Sequence, residues 1–76
     1  MASLRKISGS DCIRILCNKF GFYAVRQKGS HVVLRKETPQ GSIGVVVPNH
    51  EELKIGTIKD ILRKAQISEE KFVVFL

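Results

Sequence analysis

No aspartate or glutamate occurs between Cys12 and Lys36, although six cations do: Arg14, Lys19, Arg26, Lys28, Arg35 and Lys36. The acids gather instead at Glu51-Glu52 and Glu69-Glu70, and the chain as a whole carries a net charge of +6. A basic half on a small domain is an electrostatic footprint for nucleic acid, an anionic membrane or an acidic protein. No Asp/Glu set clusters as the centre of a two-metal nuclease requires. Cysteine is scarce as well. Cys12 and Cys17 are the only two. They fall five apart within one expected helix, so a disulfide between them would break it. No Cys/His spacing resembles a zinc site, and the pair reads as core thiols in a reducing compartment. Long apolar runs are missing. The start, Met1-Ala2-Ser3-Leu4-Arg5-Lys6-Ile7, has no signal-peptide core, and no stretch approaches a membrane span. The expected location is cytoplasmic, with no membrane contact.

What is present is one domain, residues 1–76. A chain this short buries only about 60% of its unfolded surface. It has room for two or three packed elements and no deep ligand cavity, so function belongs on the surface.

Ser8-Gly9-Ser10-Asp11 carries a helix-start signal, with Ser8 as N-cap and Asp11 three residues on; Ser10 is the alternative cap. Cys12, Ile13, Leu16, Cys17 and Phe20 follow at helical spacing, Arg14 and Lys19 point away, and Gly21 ends the helix. Two strands are expected at roughly 22–27 and 31–36, joined by a tight turn centred on Lys28-Gly29. With that loop Arg26 faces His31, Val25 faces Val32 and Tyr23 faces Leu34. Tyr23, Val25, Val32 and Leu34 then form a core face. Arg26, His31 and Arg35 share the other face with Ala24 and Val33. A histidine flanked by two fixed cations asks for an anion.

Pro39 and Gly41 break the chain before a third strand at Ile43-Gly44-Val45-Val46-Val47, which Pro48 closes. Gly44 within it suggests a bulge or a close backbone approach. Thr57 with Asp60 reads as the capping box of a second helix, whose stripe is Ile58, Ile61, Leu62 and Ala65. Lys59 and Arg63 lie on its solvent edge. Ser68 caps a final turn, and Phe72-Val73-Val74-Phe75-Leu76 packs on the core or on a partner, its conformation open between helix and strand. The class is α+β: α-β-β-β-α, a three-stranded antiparallel sheet with two helices packed on one face.

Gly21-Phe22, Arg26-Gln27-Lys28-Gly29-Ser30-His31, Val47-Pro48 with His50, and Gly56-Thr57-Ile58 leading into Ile61-Leu62 together resemble the HicA family of toxins. The resemblance runs from about Ser8 to Ile67, and its most specific piece is the run from Arg26 to His31. It implies a fold like the double-stranded-RNA-binding domain. It also implies the toxin of a type II toxin–antitoxin system, a ribosome-independent mRNA interferase neutralised by a HicB-type antitoxin protein. The family's catalytic histidine carries over onto His31 through Gly29-Ser30-His31. Two positions depart from the family pattern: Asp60, where a small polar residue is commoner, and Arg5, where proline is.

RNA cleavage without a metal needs a base for the 2′-hydroxyl proton, positive charge near phosphorus, and a proton for the departing 5′-oxygen. An imidazole, with an unperturbed pKa of about 6.5, suits the first role. His31 is therefore the expected general base, with mRNA as substrate and no cofactor, metal or DNA contact. Arg26, Lys28, Gly29, Ser30, Arg35, Lys59 and Arg63 are the residues expected to bind RNA or stabilise the transition state, Lys28 and Arg26 most directly. His50, Lys28 or water are the candidate donors to the leaving group. Two other readings use the same basic surface: a non-catalytic RNA-binding module, and an interaction protein for an acidic partner.

Overall fold

The computed structural model describes residues 3–76. Met1 and Ala2, part of the N-terminal segment read above, lie outside the described residues. The element order is α1 (Gly9–Lys19), β1 (Tyr23–Lys28), β2 (His31–Thr38), β3 (Gly41–Pro48), α2 (Ile55–Ala65) and α3 (Glu69–Val73). The strands form an antiparallel sheet in the order β1-β2-β3. The expected α-β-β-β-α order holds, with α3 as a short addition at the C-terminal end.

Helix α1 starts as its sequence predicts. The Ser8 side chain accepts from the Asp11 amide at 2.9 Å, which occupies one of the amides left without a partner in a first turn. Gly21, at φ +79°, turns the chain out of the helix, and the Phe22 amide donates back to the Leu16 carbonyl. Cys12, Ile15 and Leu16 are buried, whereas Arg14 and Lys19 are exposed.

The hairpin differs from the expectation in two ways. Its central pair is Gly29-Ser30, so Lys28 faces His31, Gln27 faces Val32 and Arg26 faces Val33. Gly29, at φ +60°, stands at the first central position and Ser30 keeps a negative φ, the pattern of a type II′ turn whose twist matches the flanking strands. A bulge then absorbs Val25, after which Ala24 faces Leu34 and Tyr23 faces Arg35. The expected core face is corrected accordingly. Val32 and Leu34 are buried, but Tyr23 and Val25 are each 45% exposed, because the bulge breaks the two-residue alternation that would have turned them inward. Gly44 is neither a bulge nor a close approach; it pairs regularly with Arg35 and has ordinary space around it.

Helix α2 begins two residues before the Thr57 cap expected for it. Lys54 is the N-cap, no side chain caps the helix, and the Ile58 amide is taken by the Lys54 carbonyl. Asp60 is drawn instead to Arg63 and Lys64, whose hydrogen bonds hold its carboxyl below the usual range, that of Lys64 first. The stripe Ile58, Ile61, Leu62 and Ala65 is buried as expected. Ser68 caps α3 by accepting from the Lys71 amide at 3.2 Å. Only the start of the tail is helical: α3 ends at Val73, with Phe72 and Val73 buried, and beyond it Val74 and Phe75 remain exposed.

Both long helices lie on the same side of the sheet, joined to Val32, Leu34, Val45 and Val47 in one apolar cluster. The molecule measures 33 × 30 × 19 Å. Its short axis accommodates one layer of helix and one of sheet, so among the described residues nothing covers the second face of the sheet. Among the described residues no helix is long and apolar enough to cross a membrane.

Candidate functional site

His31 opens β2. Its cross-strand neighbours are Lys28 on β1 and Pro48 on β3, and its side chain is exposed. Val32 and Leu34 alternate inward along the same strand, which sends His31, Val33 and Arg35 to the uncovered face. The slipped turn places Lys28 directly opposite the imidazole and Arg26 two pairs further on, on the same face, opposite Val33. Arg26, Lys28, Gly29, His31, Val33 and Val46 line one shallow depression of this face. Neither Arg26 nor Lys28 forms an ion pair among the described residues. Their charge is free for a ligand.

Arg35 behaves differently. Its Nε lies 3.2 Å from Glu37 Oε2 and its Nη2 donates to Ser42 Oγ at 3.2 Å. Glu37 also accepts from the Tyr23 hydroxyl at 2.8 Å, and that bond, ahead of partial burial, raises the phenol above its ordinary pKa. Arg35 sits four residues along β2 from His31, about 13 Å of strand. The expected pair of flanking cations, Arg26 and Arg35, is thus replaced near the imidazole by Lys28 and Arg26.

Gly29 and Ser30 form the turn that precedes His31. The Gln27 side-chain amide donates to the Gly29 carbonyl at 2.9 Å, bracing the turn from β1. From the other side, the Asn49 amide donates to the Ser30 carbonyl at 2.6 Å. Ser30 Oγ and His50 Nε2 are 3.3 Å apart, within hydrogen-bond reach. His50 is one of the three candidate proton donors that the sequence offers; the fold brings it to the turn that precedes His31. No short-range signal marks this meeting, because the two residues are twenty positions apart.

The segment that carries His50 is held by α1. The Gly9 amide donates to the His50 carbonyl at 2.8 Å. A Cβ on Gly9 would come within 2.1 Å of the Pro48 carbonyl oxygen and 2.7 Å of Asn49 Cα. Only glycine lets the first turn of α1 settle against residues 48–50.

Lys59 and Arg63 are exposed on α2, in the helical layer behind the sheet, and Arg63 is occupied by Asp60. The fold does not bring either to the His31 face. Exposed apolar side chains accompany the cations instead: Val25 at 45% and Val46 at 49%. Sequence alternation assigns Val25 to the core, whereas the bulge between Ala24 and Arg26 leaves it exposed.

The family model described as the HicA toxin of bacterial toxin–antitoxin systems matches residues 9–67. The matched span includes α1, the whole sheet, residues 48–50 and α2. No curated protein matches the chain.

Proposed function

Since this chain belongs to the HicA family of toxins from bacterial toxin–antitoxin systems, we propose that it is a metal-independent endoribonuclease that cleaves mRNA, with His31 as general base. The observation that carries this reading is an exposed imidazole on an uncovered sheet face, opposite Lys28 and diagonal to Arg26, with neither cation in an ion pair among the described residues. A phosphodiester laid across β1 and β2 at this point meets fixed positive charge beside a group able to accept a proton.

His31 removes the 2′-hydroxyl proton, and the 2′-oxygen attacks the adjacent phosphorus in line with the 5′-oxygen that departs. Lys28 and Arg26 stabilise the charge that builds on the non-bridging oxygens. The bond to the 5′-oxygen breaks, leaving a 2′,3′-cyclic phosphate on one fragment and a 5′-hydroxyl on the other. Removing the base is expected to slow the reaction by ~10²–10⁴-fold. A HicB-type antitoxin silences the toxin by covering this face, where Val25 and Val46 offer apolar contact between the cations.

The purified chain, incubated with mRNA in excess EDTA, should yield fragments with 2′,3′-cyclic phosphate and 5′-hydroxyl ends. Abolition by EDTA, or fragments ending in 3′-hydroxyl and 5′-phosphate, would contradict the mechanism.

A further inference from the structure

We propose that His50 is the second catalytic residue of this site, the acid that protonates the departing 5′-oxygen, and that Ser30 is the residue that positions it. The inference deepens the cleavage reading above and rests on it.

Three independent restraints converge on this histidine. Ser30 Oγ stands 3.3 Å from its Nε2. The Asn49 amide, one residue before it, is bonded to the Ser30 carbonyl. The Gly9 amide holds the His50 carbonyl at 2.8 Å, with Gly9 packed too closely on residues 48–50 to admit a side chain. A solvent loop with no task needs none of these. The Gly9 and Asn49 bonds hold the backbone around this residue, while the imidazole itself stays exposed with Ser30 Oγ within hydrogen-bond reach. His31 pairs with Pro48, two residues before His50, and follows Ser30 directly. The two rings therefore belong to one end of the sheet, on either side of the turn from β1 to β2.

That arrangement supplies both proton transfers. His31 takes the 2′-hydroxyl proton as the bond from the 2′-oxygen to phosphorus forms. The bond from phosphorus to the 5′-oxygen breaks with its electron pair on oxygen, and the His50 imidazolium gives that oxygen a proton. His31 ends protonated and His50 neutral, and exchange with water restores both. Lys28, which faces His31 across the strands, keeps its charge for the phosphoryl oxygens.

A leaving group that needs no proton separates this role from a structural one. The full chain is given two versions of an RNA oligonucleotide it cleaves, one with the natural 5′-oxygen at the scissile linkage and one with a bridging 5′-sulfur, a good leaving group as the thiolate. His50→Gln should slow the oxygen substrate by about 10²-fold and the sulfur substrate by less than about threefold, whereas His31→Gln should slow both. His50→Ala, compared by circular dichroism and melting, serves as a second variant; the backbone bond to Gly9 survives in each. Equal slowing of both substrates by the His50 variants would make the residue merely structural, and no slowing would make it idle; either overturns the proposal. Failure of the unaltered chain to cleave the oxygen substrate at all would overturn the cleavage reading first, and this inference with it.

Discussion

At the scale of single residues, the two histidines and the two cysteines show how burial sorts chemistry. Cys12 is fully buried, and burial pushes its thiol up from 9.0 to about 12. Cys17, only partly covered, is raised by burial as well. A thiol whose pKa is higher folded than unfolded contributes stability that is intact below about pH 9 and is lost as pH rises towards about 12 for Cys12. Neither cysteine is poised as a nucleophile, since reactivity follows the thiolate. A disulfide reagent at pH 8 should modify Cys17 slowly and Cys12 only with global unfolding, so that denaturant exposes one further thiol. Rapid modification of both in the folded chain would mean the core is not closed over α1. The histidines lie at the other extreme, in open solvent, where a side chain contributes little to the fold and is free to act on a ligand.

At the scale of elements, helices were legible in the sequence and the hairpin only in part. The Ile58, Ile61, Leu62, Ala65 stripe and the Ser8 and Ser68 caps each state a local preference that the fold keeps. The hairpin offered two placements for one glycine. Lys28-Gly29 and Gly29-Ser30 both satisfy a two-residue loop, and the choice moves every cross-strand partner by two, so that Arg26 faces Val33 instead of His31. The bulge at Val25 then alters the alternation again, and no residue type announces it. His31 survived these shifts because β2 itself is regular; its partners did not, which is why Lys28 replaces Arg26 opposite the ring. Docking of α1 on residues 48–50 was equally hidden, since a glycine near a helix start reads as a weak helix former. Gly9→Ala tests that contact. Alanine favours a helix interior by roughly 1 kcal/mol, but backbone overlap of this kind costs up to about 3 kcal/mol. The expected net result is a loss of about 2 kcal/mol in urea unfolding. A gain in stability would show that the packing at Gly9 is loose.

At the scale of the whole molecule, two layers rather than three decide what this chain can do. The described residues seal one side of the sheet with α1 and α2 and leave the other side bare. The bare side carries Arg26, Lys28 and His31 with Val25, Val33 and Val46 between them, and Glu37, further along β2, is engaged with Arg35 and Tyr23. Such a face suits a polyanion and a protein cover in turn, as a toxin with an antitoxin requires. As the proposed general base, His31 serves the reaction and not the fold. His31→Gln, measured for single-turnover RNA cleavage and for thermal melting in the same buffer, separates the two: the rate should fall by ~10²-fold or more with the melting temperature unchanged, and cleavage at the unaltered rate in a stably folded His31→Gln protein would rule the base out.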